Sequence, residues 1–286
     1  MTWEKKRVLV TVKAYPEKSK KHGTVVCTAG ITDAGDWIRL YPMPYSTFLG
    51  PGKIQRYDWI EAECEKVTDE KLNRKESYRV RDGSVQIIDR SLSKGKVDGH
   101  APWGKRNALI LPKLAPSLEY LEERYLKDRT SLGLIKPREV IDFFTREDLQ
   151  QPPKPKEYQQ SLDKQIIPIV DAIPHIFAYI FRCAGCNEGR PHDIMCEDWE
   201  LFESYRSWWK TYPDVKLLWK KLHEKFFDFM IRHDLHFYMG MYSQMPTWLI
   251  IGLYYPPKND VISVKMVSSN NLEKWLNGSE QSKLLN

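Results

Sequence analysis

The chain has 286 residues, about twice the usual domain size of roughly 150, which favours two domains or one elaborated domain. Apolar residues make up 42% and charged residues 29% of the chain, a globular composition that excludes a disordered or collagen-like protein. The longest apolar run, residues 248–255, is much shorter than the roughly 20 residues of a membrane helix, and no signal peptide is evident at the start. We therefore expect a cytoplasmic protein without membrane contact.

The net charge of +6 is distributed unevenly along the chain. Residues 1–150 hold 28 of the 44 basic and 22 of the 38 acidic side chains, whereas the remaining residues are balanced. All of the excess positive charge therefore belongs to the first half. If the protein binds nucleic acid, the electrostatic part of the surface is expected there.

The first 90 residues carry a β pattern. Short runs rich in β-branched and aromatic residues, separated by Gly, Pro, Asp and Lys, predict five strands. These runs are residues 8–12, 24–28, 37–41, 57–63 and 85–88. Five short strands in this length indicate a small barrel of the OB-fold kind.

A helical pattern follows over residues 116–148. Leu118, Leu121 and Tyr125 recur at helical spacing, and Ile141 and Phe144 extend the prediction beyond a proline. Three prolines within residues 152–155 then favour extended backbone. We therefore predict a domain boundary there, with a basic OB-like domain at residues 1–150 and a second, OB-like α+β domain at residues 157–286.

The second half opens with two strand-like runs, residues 166–170 and 176–182. Two amphipathic helices follow, the first capped by Asp198 and carrying Trp199 and Phe202 on its apolar face, and the second beginning near Val215. Alternating residues from 235 to 241 and the apolar run 248–255 predict two more strands. The predicted fold class is α+β: two small OB-like β-barrel units with inserted helices and a zinc-stabilised hairpin.

Three of the five cysteines and one histidine lie within fourteen residues. An odd cysteine count in a cytosolic chain argues against a disulfide framework, and the turn formers between these ligands favour a metal site over core packing. A tetrahedral set leaves no open position, so we predict structural zinc. The predicted ligands are Cys183, Cys186, His192 and Cys196. If Cys196 points into the core, Asp193 or Asp198 is the alternative fourth ligand.

Acidic residues cluster just after the cysteines. Asp198 and Glu200 are candidate catalytic groups, because a carboxylate beside a metal can serve as a general acid or base. The alternative is a helix start, where the helix dipole favours acidic residues. No Gly-rich phosphate loop, nucleophile elbow, His-Glu-x-x-His pair or kinase signature occurs.

Cations alternate with aromatic residues in the first half, as a nucleic-acid-binding groove requires. Lysines would contact phosphates while rings stack on unpaired bases. The alternatives are a solvated lysine loop and aromatic residues in the barrel core. The predicted nucleic-acid-binding residues are Lys13, Tyr15, Lys18, Lys20, Lys21, Arg39, Tyr41 and Arg79.

Several of these segments together resemble a known family. They are residues 10–16, 27–30, 37–42, 76–79, 183–192 with 198–200, and 250–257. Over nearly its whole length the chain resembles the bacterial dual OB-containing family found among phage-defence genes. The resemblance implies two OB-like barrels, nucleic-acid contact and a role against foreign DNA. Arginine is expected soon after the Tyr-Pro pair but is absent from residues 45–48, and the spacing before His192 is longer than expected.

The leading hypothesis is therefore a cytoplasmic, zinc-containing protein that binds nucleic acid, with DNA as the expected partner, in antiviral defence. A DNA-processing enzyme that recognises modified bases is the alternative, with a glycosylase favoured over a nuclease; it would flip a base into a pocket and activate water there. A protein-protein adaptor is a third reading, because OB-like barrels host many functions. The sequence leaves the oligomeric state open.

Overall fold

A computed structural model describes residues 2–19, 22–68, 74–97, 99–146, 157–160, 166–169, 177–186, 190–242 and 247–258. The fold is mixed α+β. Its strands are β1 (Glu4–Lys13), β2 (Glu17–Ser19), β3 (Gly23–Thr32), β4 (Trp37–Pro44), β5 (Trp59–Lys66), β6 (Ser77–Val80), β7 (Gln86–Asp89), β8 (Leu114–Ala115), β9 (Leu132–Ile135), β10 (Pro137–Thr145), β11 (Glu157–Gln160), β12 (Ile166–Ile169), β13 (Phe177–Cys183), β14 (His192–Met195), β15 (His236–Met241) and β16 (Trp248–Tyr254).

The helices are fewer. They are α1 (Trp103–Ile110), α2 (Leu118–Asp128), α3 (Trp199–Thr211) and α4 (Val215–His223), with short 3-10 turns at Tyr45–Phe48 and Leu111–Lys113. Helix α4 continues through a π-helical segment, Glu224–Phe229, into a last turn, Met230–Arg232. Among the described residues, no helix has the length and apolar character needed to cross a membrane.

Five strands of the first half close into a barrel. Strand β1 pairs antiparallel with both β3 and β5, and the circle is completed by the pairs β3–β4, β4–β6 and β6–β5. The β4–β6 pair is parallel and the others are antiparallel. The predicted barrel in the first half is confirmed, but its membership differs from the prediction. Strand β6 was not predicted, and the predicted run 85–88 is β7, which pairs with β5 at the margin of the barrel, as β2 does with β3.

Strand β1 is buried on both faces. Val8 and Val10 point into the barrel core, whereas Leu9 and Val12 belong to a second core outside the barrel. The register shifts between Val10 and Val12, as at a β-bulge. Because successive side chains of a strand alternate in direction, a continuous apolar run such as β1 needs a partner on each side.

From here on, the first half means residues 2–113, which contain the first barrel, and the second half means the residues from β8 onward. The second core joins these two halves. Leu9 and Ile31 of the first barrel are buried together with Leu134, Tyr238 and Ile251 of later strands. Gly252 lies close against β1, since a Cβ atom there would lie 3.3 Å from Val12 Cγ2. The two halves therefore pack through a shared apolar core.

The second half forms its own ring of strand pairs. Strand β10 pairs with β13, β13 with β14, β16 with β15 and β15 with β9, all antiparallel. A parallel bridge between Cys196 and Ile250 connects the end of β14 to β16, and only Lys136 separates β9 from β10. If β9–β10 is counted as one bent strand, the pairing order repeats that of the first barrel, with α3 and α4 inserted between the third and fourth strands.

One segment differs from its predicted secondary structure. Helix α2 is confirmed, but the helical prediction beyond it is wrong, because residues 132–135 form β9, and Ile141 and Phe144 lie in β10. Spacing alone did not distinguish strand β10 from a helix, because β10 does not alternate regularly between buried and exposed residues; its exposed residues include Glu139 and Ile141. The predicted domain boundary, between residues 150 and 157, lies outside the described part of the chain. The strands before it, β9 and β10, pair with strands that follow it.

Candidate functional site

A cavity of about 400 Å³ lies where the two halves meet. Its lining side chains are mostly cationic or aromatic. They include Lys13, Lys53, Arg56, Tyr57, Trp103 and Arg106 from the first half, with Glu200 and Tyr255 from the second. Four basic side chains against one carboxylate give the lining a net positive charge, which suits an anionic ligand.

Arg56 connects the two halves behind this cavity. Its Nε donates to the Thr11 carbonyl at 3.1 Å, and Nη2 donates to the Leu253 carbonyl at 2.5 Å. Nη1 lies 3.5 Å from Asp198 Oδ2 and 3.3 Å from Glu200 Oε2. All three nitrogens of this buried guanidinium are thus engaged, and two of them bind the second half.

Tyr57 has an unusual backbone and an unusual environment. Its φ of 69° lies in the left-handed region, which costs a non-glycine residue on the order of 1–2 kcal/mol. The Arg106 guanidinium lies 4.1 Å from the centre of the ring and the Arg56 guanidinium 5.4 Å from it. Burial raises the pKa of the Tyr57 phenol, so Tyr57 is a neutral ring between two cations.

Asp198, a predicted catalytic group, is fully occupied in holding the fold. Oδ1 accepts a hydrogen bond from the Leu201 backbone N–H at 3.1 Å and caps α3, while Oδ2 accepts one from the Leu253 N–H at 3.0 Å. Burial raises the pKa of Asp198 to about 6, although Arg56 opposes the shift. This carboxylate joins α3, β16 and Arg56, which is the geometry of a positioning residue.

Glu200, the other predicted catalytic group, lines the cavity itself. Half of its side chain is exposed, and its carboxylate faces Arg56. Lys13 lies close by, with Nζ 4.8 Å from the centre of the Trp199 ring. Burial lowers the pKa of Lys13, while the charge of Glu200 acts in the opposite direction. Of the two predicted acidic groups, only Glu200 can reach a ligand in the cavity.

Arg39 is a predicted phosphate contact, but its side chain is buried. Only 3% of Arg39 is exposed, and its guanidinium donates to the Ser131 carbonyl at 3.0 Å and to Cys27 Sγ at 3.2 Å. Strand alternation placed it on the same face as Trp37, but that face is covered by residues of the second half. Arg39 therefore joins the two halves and is closed to a phosphate.

The other predicted nucleic-acid-binding residues are dispersed. The Tyr15 ring stacks on Phe202 with centroids 4.7 Å apart, and its hydroxyl contacts Arg206, so one ring face is already used. Tyr41 is half-buried in β4. Arg79 is exposed and lies 3.6 Å from Glu65. The Lys18 side chain, together with Lys20 and Lys21, falls outside the described residues.

Three of the four predicted metal ligands meet at the β13–β14 hairpin. The ligand atoms of Cys183, Cys186 and His192 all lie within 4.8 Å of one another. Cys186 Sγ is 2.9 Å from His192 Nε2, and the Cys183 backbone N–H donates to Cys186 Sγ at 2.7 Å. Two thiols and an imidazole in this arrangement can hold a metal ion, and the donor set suits a borderline-soft cation such as Zn²⁺.

The remaining candidate ligands lie elsewhere. Cys196 is buried in the core of the second half, where its backbone N–H donates to the Phe177 carbonyl at 2.7 Å. It follows His192 by four residues along an extended segment, roughly 13 Å at 3.3 Å per residue. Asp193 pairs with Arg146, and Asp198 binds Arg56. None of these three belongs to the cluster.

Several residues of the cavity were not predicted. Trp103 and Arg106 come from helix α1 and Tyr255 follows β16, and no motif connects these positions. Arg56 and Tyr57 belong to the part of the chain in which cations alternate with aromatic residues, but no spacing rule distinguishes a buried arginine from a surface one. These residues meet because the two halves share a core, and sequence spacing does not predict that packing.

The chain matches two family models that adjoin. Residues 4–112 match a domain of unknown function (DUF8758) and residues 115–274 match another domain of unknown function (DUF8757). The junction precedes α2, which differs from the boundary predicted near residue 150. A comparison with curated proteins finds no match to the chain. Because the second match covers more than half of its residues, the chain belongs to the DUF8757 family and carries a DUF8758 domain before that match.

Proposed function

We propose that this protein binds nucleic acid, with DNA as the expected partner, through the cationic cavity between its two halves. The observation that carries the proposal is the combination of four basic side chains with the rings of Tyr57, Trp103 and Tyr255 in one concave site. Basic groups neutralise phosphates, and aromatic faces stack on bases for about 1–3 kcal/mol each. A volume of about 400 Å³ is within the range of small-ligand pockets.

The fold and the resemblance extend this proposal. We treat both halves as OB-like units, since the two rings have the same pairing order and OB-folds are five-stranded barrels that commonly bind nucleic acid. A cytoplasmic role in defence against phage follows from the resemblance to the dual OB-containing family. The Cys/His cluster is proposed to hold zinc in a structural role.

Fluorescence anisotropy with labelled oligonucleotides tests the binding. Purified protein would be titrated into single- and double-stranded DNA and RNA of one sequence at several salt concentrations. We expect binding that weakens as salt rises, with a log-log slope that reflects the phosphates contacted. Absence of affinity for every oligonucleotide at low salt would remove the proposal and favour a protein-protein adaptor.

A second candidate is a base-excising enzyme that acts in the same cavity. The specific observation is Glu200, an accessible carboxylate beside Arg56 in a cavity lined by aromatic rings. In such a reaction a flipped nucleotide enters the cavity, Glu200 accepts a proton from water, and the water oxygen bonds to sugar C1′. The C1′–N bond breaks, and the base leaves with the electron pair and takes up a proton.

A denaturing gel of end-labelled DNA, ordinary or containing modified cytosines, separates these activities. Strand breaks only after hot alkali would show base excision, and breaks without alkali would show a nuclease. A Glu200→Gln variant should lose either activity and keep DNA binding. Intact DNA in both arms, together with binding, would leave the binding function alone.

A further inference from the structure

The Cys/His cluster faces the first turn of helix α2. The turn between Cys183 and Cys186 approaches the residues before this helix, and a Cβ atom on Gly185 would lie 3.5 Å from Ser117 Cβ. The backbone N–H of Leu118 is a hydrogen-bond partner of the Cys183 thiol. Ser117 itself caps α2 by accepting a hydrogen bond from the Tyr120 N–H. The start of α2 is therefore part of the cluster's wall.

Glu119 projects from this turn toward the cluster. Its Oε1 lies 3.6 Å from His192 Nε2. Its Oε2 is buried and has no hydrogen-bond partner among the described residues. An unpaired buried carboxylate oxygen is costly, and a cation is the partner that satisfies it best.

One of the two distances at His192 Nε2 falls in the range expected for two ligands of one metal ion. With Zn–S near 2.3 Å and Zn–N or Zn–O near 2.0–2.2 Å, the ligand atoms of a tetrahedral ion are separated by roughly 3.3–3.8 Å. The 3.6 Å between Glu119 Oε1 and His192 Nε2 falls within that range. The 2.9 Å between Cys186 Sγ and the same nitrogen is shorter than this range, so these two atoms must move apart to bind one ion.

The alternative of a nucleophilic cysteine relay does not fit this geometry. In a relay, the nucleophile lies at one imidazole nitrogen and the carboxylate at the other. Here both Cys186 and Glu119 face Nε2 of His192. Groups that converge on one nitrogen surround the place of an ion that the nitrogen would bind.

We infer that Glu119 is the fourth ligand of a Cys183, Cys186, His192 and Glu119 zinc site that joins helix α2 to the β13–β14 hairpin. This inference rests on the metal site of the proposed function. It replaces Cys196, which lies in the core, by a carboxylate 64 residues before Cys183 in the chain. The ion would connect a helix at the start of the DUF8757 match to a hairpin in its middle.

The test is zinc affinity of the metal-free full-length protein, measured with zinc chloride in competition with a chromophoric chelator. Glu119→Gln should weaken zinc binding by about 100-fold, the upper end of the loss seen even for outer partners of a metal site. Glu123→Gln, on an exposed position of the same helix, is the matched control and should bind like the wild type. Glu119→His supplies a different ligand and should restore affinity to within about tenfold.

Cobalt(II) substitution reads the coordination directly. The wild type and Glu123→Gln should give the strong visible absorption of a four-coordinate ion, and Glu119→Gln should change that spectrum. Identical affinities and spectra for Glu119→Gln and Glu123→Gln would overturn the role of Glu119 while leaving the metal site standing. A wild type that takes up no zinc would overturn the metal site and this inference together. A loss in Glu119→Gln that Glu119→His does not restore would also count against ligation.

Discussion

The metal cluster and the cavity are assembled in different ways. Cys183, Cys186 and His192 lie within ten residues of one chain segment, and one hairpin brings them together. The cavity draws its side chains from six separate segments, and it exists only because the two halves pack on each other. A site made by one hairpin depends on local geometry, whereas a site made between two units depends on the stability of their contact.

This difference determines which residues matter for each site. At the hairpin, ligand chemistry dominates, and the fold supplies Glu119 from a helix start. At the cavity, Arg56 and Asp198 hold the wall in place and leave Glu200, Lys53 and Lys13 for the ligand. The predictions below separate holding residues from binding residues.

The largest effect is expected at Arg56. Arg56→Met should lower the free energy of unfolding by about 3–5 kcal/mol, because it leaves Asp198 buried without its opposite charge. Denaturant unfolding measures this change. Arg79→Met, at an exposed arginine, is the control and should change stability by less than about 0.5 kcal/mol. Equal effects would contradict the holding role of Arg56.

The second-largest effect is expected on removal of the metal. Cys183→Ser, or chelation of the wild type, should cost about 3 kcal/mol and lower Tm by about 6–12 °C. Cys196→Ser is the informative comparison, because Cys196 lies outside the cluster and its variant should retain bound zinc. Zinc content by elemental analysis, together with thermal unfolding, distinguishes the two variants. Loss of zinc from Cys196→Ser would indicate that Cys196 is a zinc ligand, as first predicted.

Stability should also depend on pH through Asp198. Its pKa of about 6 in the folded protein is above the ordinary value of 3.8, so the folded state binds this proton more tightly than the unfolded state. Protonated Asp198 therefore stabilises the fold below about pH 4, and this contribution is lost as pH rises through about 6. Relative to Asp198→Asn, the wild type should lose about 3 kcal/mol over that range. If the free energy of unfolding depends on pH in the same way in both proteins, this role of Asp198 is contradicted.

The smallest effect is expected at Glu200. Glu200→Gln removes the carboxylate from the cavity lining and should strengthen DNA binding by about fivefold, since repulsion of a phosphate in water is worth about 1 kcal/mol. Anisotropy titration measures the change at fixed salt. Glu123→Gln, on a helix away from the cavity, should leave the affinity unchanged. Equal affinities for both variants would place the DNA phosphates elsewhere.

Much of the fold could be predicted from local patterns. Four of the five strands of the first barrel and the capped helix α3 follow from strand patterns, helical spacing and a capping aspartate at Asp198, whereas β6 was not predicted. Strand β10 could not be predicted, because its partner β13 lies more than thirty residues later in the chain and local spacing suggested a helix. Its pairing is a tertiary preference that overrides the local one.

The candidate sites divide in the same way. The metal cluster was predictable through Cys183, Cys186 and His192, because close ligands leave a pattern. Arg39 was wrongly expected at the surface, because the face that carries it is covered by the second half. No pattern marks Glu119 either, since its relation to His192 depends on how α2 packs beside the hairpin.

The salt dependence of DNA binding by Lys53→Gln tests the central claim most directly. Lys53 is an exposed cation of the cavity lining. Lys127→Gln, at an exposed lysine outside the lining, is the matched control. The account predicts that Lys53→Gln lowers the log-log salt slope by about 0.7–0.9 and that Lys127→Gln leaves it unchanged. Equal slopes for the wild type and Lys53→Gln would contradict binding of nucleic acid at the cavity between the two halves.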